Sequence, residues 1–153
     1  MPTGTVVSIH RVRQNGDPAE SLQEIAVRED FGLEGDYRSG PGKSRQLTLI
    51  GLEGLAAAAR VLGRPVPEGA SRRQIVVRGI DLRVLLGQKL QVGSILVSVE
   101  HDCHPCGRMD ETIGPGGQAA LEGRSGVTCR VLSGGLLKVG DIVAARAVTE
   151  RSD

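Results

Sequence analysis

The chain has 153 residues, with 19 Lys and Arg against 18 Asp and Glu, leaving a net charge of +1. That length suits one domain with a single sizeable core, and the charge balance gives no whole-protein attraction to nucleic acid or to an anionic membrane. Phe31 and Tyr37 are the only aromatic residues, which argues against base-stacking surfaces and leaves the core to Val, Leu, Ile and Ala.

Short β-branched runs separated by glycine predict strands over Gly4–Arg13, Glu24–Arg28, Arg45–Ile50, Gln74–Arg78, Lys89–Val92, Ile95–Glu100, Val127–Leu132 and Asp141–Val148. Many short strands with regular turn signals point to a mainly β barrel or sandwich. One principal helix is expected over Leu52–Leu62, with Leu52, Leu55, Ala59 and Leu62 on one face and a stop at Gly63 and Pro65. It reads as a core-covering helix.

Gly87-x-x-Leu90-x-Val92-Gly93-x-Ile95 is echoed by Gly134-x-x-Leu137-x-Val139-Gly140-x-Ile142. In each copy a strand is expected to enter a Val-Gly turn and leave as another strand, as two corners of one barrel would. A single domain over residues 1–153 follows, with residues 1–3 and 149–153 expected to fray.

No run of about 18 apolar residues is present, and the N-terminus has no basic segment followed by an apolar one, so no membrane span or secretory signal is expected. Three cysteines do not make a disulfide scaffold. The expected compartment is the reducing cytoplasm.

Chemistry concentrates in His101-Asp-Cys-His-Pro-Cys-Gly-Arg-Met-Asp-Glu111. Pro105 and Gly107 bracket Cys106, which places its thiol on a tight loop leaving a strand, where a thiolate can be exposed and activated. His101, Cys103, His104 and Arg108 form its expected surroundings. Cys103-His-Pro-Cys106 invites three functional readings: a redox pair, which lacks the helix N-terminus such a pair needs because the motif follows a strand; a zinc site drawing on His101, Cys103, His104 and Cys106 with Cys129 or His10 beyond; and a single reactive or metal-binding thiolate. A reduced, inert pair is the structural alternative. Cys129, within an apolar strand, reads as a packing residue.

Gly32–Arg45 is glycine-rich and carries Arg38, Lys43 and Arg45, which suit a phosphate or oxyanion. It is not a P-loop, because Tyr37 occupies the place of the upstream glycine before Gly42-Lys43-Ser44. A solvated hairpin loop would look the same. Arg72 and Arg73 precede the strand that Gln74 opens. They read either as a second anion grip or as ordinary solvated charges.

Taken in order, Gly32-Leu-Glu-Gly-Asp36, Arg45-Gln-Leu-Thr-Leu-Ile50, Arg72-Arg-Gln-Ile-Val-Val-Arg-Gly-Ile-Asp-Leu82, Gly87–Gly93, Pro105-Cys106 and Arg130-Val-Leu-Ser-Gly-Gly-x-x-x-Val-Gly-Asp141 resemble the MOSC domain, named for the C-terminal domain of molybdenum-cofactor sulfurases. The resemblance implies a closed, strand-rich barrel of Greek-key type and a pocket for molybdopterin-type ligands. Arg38, Lys43, Arg45, Arg72, Arg73 and Gln74 are the candidates to line that pocket. It further implies one functional cysteine, Cys106, that carries sulfur as a persulfide or ligates molybdenum. Many members have His where this chain has Arg38, and Asn where it has Gln74. The implied activity is sulfur handling or reduction of N-hydroxylated substrates, with a non-catalytic sulfur carrier and a zinc-stabilised β domain as the alternatives. The sequence contains no pyridoxal-phosphate desulfurase domain. That cofactor is expected only in a partner or fused sulfurase, and a cysteine desulfurase or a reductase is the expected partner protein.

Overall fold

A computed structural model describes residues 3–146. In chain order the strands are β1 (Thr3–Arg11), β2 (Glu20–Leu22), β3 (Glu24–Arg28), β4 (Gly32–Leu33), β5 (Leu47–Gly51), β6 (Ile75–Arg78), β7 (Lys89–Val92), β8 (Ile95–Asp102), β9 (Val127–Ser133), β10 (Gly135–Lys138) and β11 (Ile142–Arg146). The helices are α1 (Leu52–Leu62), α2 (Arg108–Thr112) and α3 (Gly117–Ala120), with 3-10 turns at Glu68–Ser71 and Leu82–Leu85.

The main sheet has eight strands. Seven of them close into a barrel in the order β1-β11-β7-β8-β9-β5-β6 and back to β1, and β2 extends β1 outside the ring. The barrel is mixed: β5 and β6 run parallel, Leu49 opposite Ile75, and every other neighbouring pair is antiparallel. A parallel pair needs a crossover, and α1 supplies it. Closure leaves the ring no free edge.

Alternation fills the interior. Ile95, Val97 and Val99 of β8 point inward, as do Val143 and Ala145 of β11. Strand β5 is instead buried on both faces, because α1, α2 and α3 cover its outer side. There Ile50 and Val76 meet Leu55, Ala58, Met109 and Leu121. Ala58 takes the deepest helix position where the spacing predicts Ala59. Gly63 ends α1 in a left-handed conformation, its N–H donating to the Ala59 carbonyl at 2.8 Å.

All seven barrel strands coincide with sequence-predicted ones. The eighth prediction, β3, lies in a separate three-stranded sheet, β10-β3-β4, where β10 is the strand that the echo expects ahead of Val139-Gly140 and β4 is absent from the sequence reading. The echoed segments do form matching corners, with Gly93 and Gly140 at positive φ. The two turns pack together, and the Gly93 N–H donates to the Ile142 carbonyl at 2.8 Å. Their strands differ in company: β7 pairs with β8 across its own turn, whereas β10 pairs with β3. Thr3, expected to fray, pairs with Ala144. The expected fraying of residues 1–2 and 149–153 and the last two positions of the strand predicted over 141–148 lie outside the described residues.

Candidate functional site

Strand β8 slips register between Val99 and His101, a bulge that re-aims the strand end as it leaves the barrel. The loop that follows is pinned at both ends. At its start, the Cys103 N–H donates to the Gly126 carbonyl at 2.8 Å. At its end, the Met109 N–H donates to the Cys106 carbonyl at 3.0 Å, and the Met109 side chain is buried in the cluster outside β5. Gly126 has φ +89, and a Cβ there would overlap the Leu49 carbonyl oxygen, so only glycine lets this segment lie so close to β5.

Between these pins sits Arg73. Its side chain is 3% exposed and makes no ion pair with a carboxylate among the described residues. Nε donates to the Ser125 carbonyl at 2.8 Å, and Nη2 to Ser125 Oγ at 2.7 Å, to the His104 carbonyl at 3.0 Å and to the Cys103 carbonyl at 3.3 Å. The guanidinium fork thus ties the start of the cysteine loop to the approach to β9. Burial lowers its pKa from the ordinary value, the Cys103 and Cys106 thiols oppose that fall, and Arg45 and Arg38 add to it.

The six candidate pocket residues separate into committed and uncommitted groups. Arg38 forms a fork with buried Asp36, Nε to Oδ1 at 2.9 Å and Nη2 to Oδ2 at 2.8 Å, and donates from Nη1 to the Arg72 carbonyl at 2.7 Å. Burial of Asp36 works to raise its pKa, but the Arg38 fork and the Val12 N–H hold it below the ordinary value. Gln74 is buried and locks β5 to β6: its Oε1 accepts from the Thr48 N–H at 2.9 Å, while its own N–H donates to Thr48 Oγ1 at 2.9 Å. Lys43 is exposed and lies 3.4 Å from the Arg38 carbonyl.

Arg45 and Arg72 retain donor capacity. Arg45 is exposed and has no hydrogen bond or ion pair with any described residue. Arg72 adopts φ +63 and gives Nη1 to the Asp17 carbonyl at 3.3 Å. Its Nη2 is buried without a partner, an orphaned donor of the kind that a bound anion satisfies. Buried Gln46, between the Asp30 carboxylate at 2.8 Å and the Val131 N–H at 2.9 Å, fixes the backbone beside Arg45.

All three cysteines are free thiols, and only Cys106 is exposed. Cys129 lies in the barrel wall between Leu47 and Val99, and burial pushes its thiol pKa far up. Cys103 is 3% exposed and borders a cavity of about 120 Å³ with Arg83, Glu122 and Ser125. A larger cleft of about 450 Å³ lies beyond Arg83, against the first turn of α1. Neither is lined by Cys106 or Arg45, so cavity size does not locate the exposed thiol.

The described residues do not form the zinc site that the sequence suggested. No group of three or more His, Cys, Asp or Glu side chains converges on one point among the described residues. Cys103 turns inward beneath Arg73, whereas His101, His104 and Cys106 are exposed. Neither imidazole has a hydrogen-bond partner among the described residues. Arg108, expected beside the thiol, reaches Asn15 Oδ1 at 3.4 Å.

Asp36, Ser125 and Arg83 also shape the site and were not singled out from the sequence. Gly35-Asp36-x-Arg38 hints at a local fork and Gly123-Arg-Ser-Gly126 at a close backbone approach. Nothing local marks Arg83, 3.6 Å from Asp102.

Among solved structures, the YUAD protein from Bacillus subtilis is similar over 94% of this chain and 97% of its own, at 17% identity and a TM-score of 0.82. YiiM from Geobacillus stearothermophilus is similar over 97% of this chain and 79% of its own, at 21% identity and a TM-score of 0.77. YiiM from Escherichia coli is similar over 100% of this chain and 72% of its own, at 19% identity and a TM-score of 0.67. At these identities the likeness establishes a shared fold. No curated protein matches the chain. The MOSC domain family profile matches residues 36–144, which include β5 to β9, Arg73 and the whole cysteine loop, and the chain belongs to the MOSC domain family.

Proposed function

We propose that this domain binds a molybdenum cofactor of the molybdopterin type at the surface shared by Cys106, Arg45 and Arg72, and handles sulfur or N-hydroxylated substrates there. The observation that carries the reading is the position of Cys106. It is the one exposed cysteine, on a loop fixed by a buried guanidinium and within electrostatic influence of that same cation.

The donor set fits such a group. A thiolate suits a soft transition metal, and the uncommitted donors of Arg45 and Arg72 suit a phosphate through charge-assisted bonds. Arg38 and Arg73 would act one step back, since their hydrogen bonds are spent on Asp36 and on loop carbonyls, whereas Gln74 ties its Oε1 and backbone N–H to Thr48 and leaves its side-chain amide N–H groups without a bond to any described residue. When bound, the molybdenum group would supply two-electron redox chemistry, while the protein orients it and controls access. No helix among the described residues is long and apolar enough to cross a membrane.

Sulfur handling needs only the chain's own thiol and a persulfide donor. The Cys106 thiolate attacks the outer sulfur of the donor persulfide, a new S–S bond forms, and the donor departs as its thiolate. A cysteine desulfurase fits as the donor, and a reductase fits if the redox reading holds. Cys106 borders neither cavity, which favours a second reading: a carrier that presents its persulfide to a partner enzyme.

The test is to purify the protein from a cofactor-producing host and measure molybdenum, pterin fluorescence after oxidative release, and sulfane sulfur, in wild type and Cys106→Ser. Molybdenum and pterin that are lost in the variant support the cofactor reading. Sulfane sulfur alone supports the carrier. Wild type that holds none of the three and takes up no added cofactor overturns both.

A further inference from the structure

The loop holds a second thiol that the proposed chemistry leaves without a role. Cys103 stands three residues before Cys106, and the pair differs sharply in setting: one is buried, the other exposed. Arg73 Nη2 donates to both the Cys103 and His104 carbonyls, so the chain between the thiols bends around a single guanidinium. Cys103 lies just beyond the end of β8, held by one backbone hydrogen bond to Gly126, and borders a cavity of about 120 Å³. Cys129, by contrast, is paired on both sides within the barrel wall and borders neither cavity. A packing cysteine looks like Cys129. Cys103 has space beside it and a reactive neighbour at C-x-x-C spacing.

We propose that Cys103 is the resolving thiol for Cys106, closing a Cys103–Cys106 disulfide that expels the outer sulfur of a Cys106 persulfide as hydrosulfide. This rests on the sulfur-handling reading. Cys103 gives its proton to solvent and attacks Cys106 Sγ. The bond between Sγ and the outer sulfur breaks, a bond between the two Sγ atoms forms, and the outer sulfur leaves as HS⁻ with the electron pair of the broken bond. The two cysteine sulfurs are oxidised to the disulfide and the outer sulfur is reduced. A dithiol reductant then restores both thiols by exchange. The buried member is thereby kept from external donors, while the exposed member collects sulfur. Delivery is as sulfide, not as a persulfide handed on intact.

The experiment treats reduced wild-type protein and Cys103→Ala with glutathione persulfide, follows sulfide release, then alkylates and maps the cysteine peptides by mass spectrometry. Wild type is expected to release about one sulfide per chain and to yield a Cys103–Cys106 disulfide, while Cys103→Ala keeps its Cys106 persulfide roughly ten-fold longer or more. A wild-type persulfide as long-lived as that of the variant overturns the resolving role and leaves the sulfur reading standing. Absence of sulfur on Cys106 in both proteins overturns the sulfur reading itself. A parallel titration of wild type with oxidised glutathione tests the pairing independently of any sulfur uptake and of whether the variant folds. Closure of the internal disulfide supports the pair. A mixed disulfide on Cys106 with Cys103 still free overturns it.

Discussion

Replacing Arg73 by Met tests whether the guanidinium is what shapes the cysteine loop. The substitution keeps much of the side-chain length and removes every donor. Five acceptors lose a partner: the Ser71, Ser125, Cys103 and His104 carbonyls and Ser125 Oγ, at 2.7 to 3.5 Å. Hydrogen bonds to a charged group contribute about 1.5–3 kcal/mol each when made, and a buried polar group left unpaired costs about 1–3 kcal/mol. These do not add, because the acceptors share one fork and the loop can relax toward water. The charge itself also carries a desolvation cost that Met does not. The net loss should therefore be about 3 kcal/mol, near that for breaking one buried polar network. With a urea slope of about 2 kcal/mol/M for a domain of this size, the unfolding midpoint should fall by about 1.5 M with the slope unchanged. Cys103 should also become alkylatable under native conditions. Arg73→Lys retains the charge but not the fork, and should recover only part of the loss. A midpoint shift below about 0.5 M for Arg73→Met, with Cys103 still protected, would refute the clamp.

Limited alkylation of native protein should label Cys106 first and Cys129 only on unfolding, because burial raises the Cys129 thiol far above its ordinary pKa; peptide mapping reads the order, and early labelling of Cys129 contradicts it. Burial lowers the pKa of His10 from 6.5 despite the opposing charge of Glu68, and its ring lies between Ser8 Oγ at 2.8 Å and Ser21 Oγ at 3.3 Å. Below pH 6.5 the unfolded chain takes up the proton before the folded one does, so stability is full above that pH and declines as pH falls through the lowered folded value. Thermal midpoints across that window should fall less steeply in His10→Gln; equal slopes would exclude the effect. Gly126→Ala should destabilise by more than about 2 kcal/mol in urea, since φ +89 is strained for alanine and its Cβ overlaps the Leu49 carbonyl. A near-neutral Gly126→Ala would mean that β5 and the cysteine loop approach less closely than described.

The barrel was legible because its strands carry their own signal. Alternation in Ile95–Glu100 and short β-branched runs elsewhere mark residues that must face a core, and all seven ring strands show one or the other. Strands β2 and β4 escaped because they are only three and two residues long. So short a piece has too little period to show, and its pairing is decided by the neighbour already in place. The parallel β5–β6 pair was implicit in the helix between them, which is the crossover such a pair requires.

The site was less legible, and the arginines explain why. Arg38, Arg45, Arg72 and Arg73 look alike in sequence, four cations near glycines or a strand start. Folding gives each a different function through contacts made far along the chain. Arg73 meets Ser125, 52 residues away, and Arg38 meets the Arg72 carbonyl, 34 residues away. Only closure of the barrel creates those acceptors, and no local pattern anticipates them. The arginine that ends up most buried, Arg73, sits beside one that keeps an unpartnered nitrogen, Arg72, because φ +63 at Arg72 turns the two side chains into different surroundings. Spending Arg73 on backbone carbonyls has a functional consequence. Its charge is held near Cys106 without competing for a ligand, so the loop keeps its shape whether or not an anion occupies the donors of Arg45 and Arg72. Positioning and binding are thus carried by different arginines, and substitution at each should separate them. Loss of Arg45 should weaken anion binding with little change in stability, whereas loss of Arg73 should disturb the thiols first.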